Sequence, residues 1–170
     1  MTNELLNIKD KRKTSRQTRN PLHINKEALD IALAVTEVDL NKIDLINIRI
    51  TDANDNKQGY TRVLASNPLT GRLTLVIKIR VRKQTSYTDA HHYVINNTLL
   101  HELRHVAQRQ QVTNFDALYK LENTLNGYKN NVFETDAKNY GRIADHTGTK
   151  TIKDMWPATP LGQQVWAIRL

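Results

Sequence analysis

Within residues 97–108, His101 and His105 stand four positions apart, and Glu102 directly follows the first of them. On an α-helix, residues four apart share a face, so both imidazoles can converge on one ion. Neutral imidazole binds zinc at about 2.0–2.1 Å, and a glutamate beside two histidines at this spacing can act as general base. The chemistry to expect is hydrolysis. Glu102 takes a proton from water activated by the metal and passes it to a leaving group.

A catalytic zinc needs a third protein ligand and one open position. The chain has no cysteine, so that ligand must be a histidine or a carboxylate. Glu134 is the first candidate. In a helix over residues 131–144 it shares a face with Ala137, Lys138 and Gly141. The small residues there allow close approach to a second helix, which a glutamate needs if it is to reach an ion held by that helix. Asp136 lies about 200° from Glu134 at about 100° per residue, so only one of the two can face the site. Glu122 and His146 stay open as alternatives. For the oxyanion that develops during acyl transfer, His146, Tyr140 and Tyr128 are candidates on position alone.

These groups require a helix to carry them. Ser86 and Asp89 resemble a capping box, and from there to Arg109 neither Gly nor Pro interrupts. Ile95, Leu99, Leu103 and Val106 form an apolar stripe at helical spacing. His101 falls about 200° around the helix from Leu99, so the histidines point toward a second face. Upstream, Leu73–Arg82 is the clearest strand: Leu73, Leu75, Ile77, Ile79 and Val81 face one way, Thr74, Lys78, Arg80 and Arg82 the other. Residues 43–50 alternate as a second strand and residues 60–64 form a third. Asn25 can cap a helix over residues 26–35. Beyond it, Asn114 or Asp116 restarts a helix that Gly127 bends or ends, and Met155, Trp156, Val165, Trp166 and Ile168 are apolar anchors in a turn-rich tail.

The sequence has 170 residues, of which 39% are hydrophobic and 25% charged, as expected for one α+β domain with a real core. Aromatics make up 6%, so that core should be aliphatic. We divide the chain into a basic N-terminal arm (residues 1–20) and a domain (residues 21–170). The arm carries Lys9, Lys11, Arg12, Lys13, Arg16 and Arg19 against one acid, Asp10, while residues 4–8 could form a short docking segment. The net charge of +8 and the pI near 9.8 suit a nucleic acid or a large assembly as partner of that arm. No apolar run approaches the roughly 20 residues of a membrane span, and the N-terminus lacks the apolar stretch of a secretory signal. A cytoplasmic location is expected, or a virion if this is a phage protein, with no membrane partner.

His101-Glu102-Leu103-Arg104-His105, followed about thirty residues later by Glu134-x-x-Ala137, resembles the gluzincin group of zinc metallopeptidases. It is most similar to the small single-domain members called minigluzincins, over residues 72–141. The resemblance, which covers a strand, the motif helix and a glutamate helix, implies a zincin-like fold; with the elements read upstream this makes an N-terminal helix, a small three-stranded sheet, the motif helix and the glutamate helix. It implies that His101, His105 and Glu134 bind zinc and that Glu102 is the base. It also implies that the strand before the motif helix, with Leu73, Leu75, Ile77 and Ile79, pairs with an extended protein or peptide substrate. Arg104 and Lys138 depart from the general pattern, so no subfamily follows. SprT-like proteases, which act on DNA-linked proteins, share the motif and suit the basic charge. The competing reading is a structural or assembly protein of a phage or other particle that retains the fold.

Overall fold

In the computed structural model, residues 6–10, 23–24, 26–53, 59–82, 89–142 and 168–169 are described. The elements in chain order are β1 (Leu6–Asp10), β2 (His23–Ile24), α1 (Lys26–Val35), β3 (Ile43–Ala53), β4 (Gly59–Ser66), β5 (Leu73–Arg82), α2 (Asp89–Gln111), α3 (Phe115–Asn126), α4 (Val132–Gly141) and β6 (Ile168–Arg169). Single turns of 3-10 helix occupy Leu40–Lys42 and Tyr128–Asn130. The α+β class is as expected, and no helix among the described residues is long and apolar enough to cross a membrane.

The three strands expected from the alternating patterns pair in one mixed sheet, and β1 extends it, giving the order β1-β3-β5-β4. β1 and β5 run parallel to β3, whereas β4 runs antiparallel to β5. The register sets Ile46 beside Leu75 and Ile48 beside Ile77. All four side chains are buried, as are Leu99, Leu100, Leu103 and Val106 of α2, which packs on this face. Each such aliphatic side chain contributes roughly 1.5–3 kcal/mol when fully buried. The core is therefore aliphatic, and its main axis is the helix that carries the histidine motif.

Two expectations about the strands change. β5 is hydrogen-bonded to β3 on one side and β4 on the other, so its backbone has no free edge for a substrate. Leu75, Ile77 and Ile79 are core residues, and Leu73 pairs with Ile43 and Ser66. The edge strand beside α2 is β4 instead. Lys9, counted with the basic arm, belongs to β1, where it pairs with Arg49. Lys11, Arg12, Lys13, Arg16 and Arg19 lie outside the described residues.

α4 packs along α2 as its small residues suggest. Ala137 is fully buried, and a Cβ on Gly141 would lie 3.0 Å from Asn97 Oδ1. Asn97 Nδ2 donates to the Gly141 carbonyl at 2.9 Å, closing this contact. Asn131, buried at the start of α4, caps it by accepting from the Phe133 amide at 2.9 Å. Its Nδ2 donates to Tyr119 O and Asn123 Oδ1, which ties α4 to α3. Gly127 ends α3 at a φ of 72°, a left-handed value that glycine adopts without strain.

Candidate metal centre

α2 delivers His101, Glu102 and His105, and the close approach of α4 brings Glu134 up to them. The ligand atoms of His101, His105 and Glu134 lie within 4.8 Å of one another, so the three form a group able to hold a metal ion. His101 Nε2 is 3.3 Å from Glu134 Oε2, and His105 Nε2 is 3.3 Å from Glu134 Oε1. The two Nε2 atoms are 3.1 Å apart. Glu134 is only 3% exposed and His105 7%, so this is an interior site rather than a surface cluster.

The donor set fits a cation. Glu134 Oε1 accepts a hydrogen bond from Tyr119 Oη at 2.5 Å, but its Oε2 is buried without a hydrogen-bond partner. An unsatisfied buried carboxylate oxygen is costly, and a positive charge between the imidazoles would satisfy it. Burial pushes the Glu134 carboxyl up, yet the adjacent His101 and His105 imidazoles and the Tyr119 hydrogen bond outweigh it and hold the pKa far below the carboxylate range. Burial pulls His105 down, and the adjacent Glu134 and Glu102 carboxylates raise it overall. The pocket thus favours positive charge even before a metal is considered.

Glu102 lies beside this group and lines the same cleft. It is 4% exposed, and burial raises its pKa against the opposing influences of His105 and Thr61. Thr61 of β4 donates from Oγ1 to Glu102 Oε2 at 2.5 Å and is 3.2 Å from the Glu102 carbonyl oxygen. Gly59 makes this contact between strand and helix feasible. A Cβ there would lie 2.7 Å from both Lys78 O and Thr98 Cγ2.

A cleft of about 760 Å³ opens on the group. Gly59, Tyr60 and Thr61 form its wall on β4, while Phe115, Tyr119 and Tyr128 form the wall on the α3 side. Burial and the neighbouring Glu134 carboxylate push the phenols of Tyr119 and Tyr128 above their usual range, so both stay protonated donors.

Tyr140 does not line the cleft; its ring stacks under the Arg104 guanidinium, 4.1 Å away, so an oxyanion role for it is corrected. Glu122 accepts from Asn126 Nδ2 at 3.0 Å on the outer side of α3 and does not line the cleft. His146 lies outside the described residues. Asp136, on the same helix as Glu134, faces Arg104 and Gln108 rather than the cleft.

Three contributors were not singled out from the sequence: Thr61, Tyr119 and Gln108. Thr61 had no local signal, because its role arises from the approach of β4 to α2. Gln108 did have one, since it stands three residues after His105 and so shares its helix face. Tyr119 stands fifteen residues before Glu134 and reaches it only through the α3–α4 turn.

Comparison with protein-family models finds no match, and comparisons with curated proteins and with solved structures find none either.

Proposed function

We propose that this chain is a zinc-dependent metallopeptidase of the gluzincin type, cleaving peptide bonds with Glu102 as general base. The observation that carries the reading is the convergence of His101, His105 and Glu134 from two helices beside a buried glutamate, at the floor of a cleft. Two imidazoles and one carboxylate, with no thiolate in the chain, make a donor set that suits zinc and leaves a coordination position open. When bound, zinc supplies Lewis acidity, which acidifies water to near neutral pKa and polarises a carbonyl.

The residues of the chain supply the rest. Glu102 takes the proton from the attacking water and returns it to the leaving amine. Its raised pKa brings it closer to the working pH, where a base that must also donate is most effective. Thr61 holds its carboxylate in place. β4, at the sheet edge beside the cleft, offers backbone groups with which an extended peptide can pair. Tyr119 and Tyr128 present phenols on the opposite wall.

The test is metal analysis of the purified protein, followed by incubation of the zinc-loaded chain with a peptide library. Stoichiometric zinc, with cleavage that a chelator removes and added zinc restores, supports the reading. Protein that retains no zinc contradicts it.

The net charge of +8 supports a second reading, a SprT-like protease that acts on proteins bound to nucleic acid. DNA affinity should then fall steeply with salt and depend on residues 9–19. Absent or salt-independent binding rejects it.

A further inference from the structure

We infer that Gln108, Asp136 and Arg104 form a positioning relay that fixes the tautomer of His105 and thereby sets the metal affinity of the site. The inference rests on the metal-site reading above.

Gln108 is buried, and its amide makes contacts that allow only one orientation. One end is 2.9 Å from the Phe133 carbonyl oxygen and 2.8 Å from Asp136 Oδ2. A carbonyl and a carboxylate only accept, so the amide nitrogen must face them and donate to both. The amide oxygen then faces His105 Nδ1 at 2.8 Å. That oxygen only accepts, so Nδ1 must carry the proton. In a neutral imidazole the bare nitrogen is therefore Nε2, the atom that faces Glu134 and His101.

The relay has a fixed far end. Asp136 Oδ2 also accepts from Arg104 Nε at 2.7 Å. Arg104 in turn donates to the Thr36 carbonyl at 3.2 Å and to Glu37 Oε2 at 2.6 Å, with its guanidinium over the Tyr140 ring. The charged residue inside the histidine motif thus turns away from the metal and anchors the carboxylate that orients Gln108. A clamp serving only to join α2 and α4 would not have to end on the ring nitrogen of a ligand; this one does.

The experiment measures zinc affinity of the full-length protein by competition with a chromophoric chelator, together with the visible spectrum of the cobalt-substituted form. Gln108→Leu should weaken zinc binding by about 10–100-fold, the usual effect of losing such an outer partner, and alter the cobalt bands. Asp136→Asn keeps an oxygen acceptor for Gln108 and Arg104 but removes the charge, and should weaken binding by less than Gln108→Leu does. Folded Gln108→Leu protein with wild-type affinity and spectrum overturns the relay, as does folded Asp136→Asn protein that loses more affinity than Gln108→Leu. A lowered unfolding midpoint with unchanged affinity also overturns it, by reducing the network to a clamp. In those cases the wild type still binds zinc and the metal-site reading stands; a wild type that binds neither metal removes both.

Discussion

Thr61, on the edge strand, donates a 2.5 Å hydrogen bond to the buried carboxylate of Glu102 on the motif helix. The strand that would receive a peptide and the group that would move the proton are therefore joined by one hydroxyl. Thr61→Val keeps the shape and removes the donor. Because that bond lowers the Glu102 pKa against the raising effect of burial, its loss should raise the pKa further. The base works deprotonated, so the acid limb of the kcat/KM profile should move to higher pH. A pH–rate profile with an unmoved acid limb would contradict this.

Gly59 lets strand and helix approach. Gly59→Ala places a methyl 2.7 Å from Lys78 O and Thr98 Cγ2, and one of these two neighbours is backbone. We predict a stability loss of about 1–3 kcal/mol, the usual range for overpacking, read as a lower urea midpoint. An unchanged midpoint would show that β4 and α2 separate freely.

Glu134→Gln is nearly isosteric and removes the charge; if Glu134 binds the metal, zinc affinity should fall by more than the about 10–100-fold expected for an outer partner. Tyr119→Phe removes the hydrogen bond to Glu134 Oε1 and should fall within that smaller range. Equal affinities for the two variants, measured by chelator competition, would argue that Glu134 does not bind the metal.

The Arg104 network also has an acid-stability signature. The Arg104 hydrogen bond, with help from Gln111, holds the Glu37 carboxyl below its usual pKa. A depressed folded pKa means stability that is complete above the unfolded value and lost as pH falls through the folded one. Wild type should therefore exceed Glu37→Gln in Tm at neutral pH, and the gap should close in acid below the ordinary carboxylate range. Glu37 is 55% exposed, so solvent keeps the effect small. A gap that persists unchanged in acid would contradict the assignment.

Much of the site could be read from the chain because it lies on helices. His101, Glu102 and His105 are fixed by helical spacing, and Ala137 and Gly141 marked the face that brings Glu134 close. The strand segments were legible from alternation, since Ile46, Ile48, Leu75 and Ile77 bury one face. Their order was not. Alternation says which side of a strand is buried, not which neighbours flank it, so it could not show that β3 and β4 enclose β5, the strand that the resemblance pairs with substrate. β1 was hidden for a related reason: five residues carry too little pattern to announce a parallel partner distant in sequence. Arg104 departs from the zincin pattern because its partners, Glu37 and Asp136, come from the turn after α1 and from α4.

The proposed peptidase activity depends on Glu102, which is buried beside the group able to hold a metal ion. Glu102→Gln tests it most directly, because it is nearly isosteric and leaves His101, His105 and Glu134 in place. Zinc content and peptide-library cleavage should be measured on both proteins. The variant should keep wild-type zinc content while its cleavage falls by about 100-fold or more, the typical share of a general base. Equal cleavage by wild type and Glu102→Gln, at equal zinc, would contradict it.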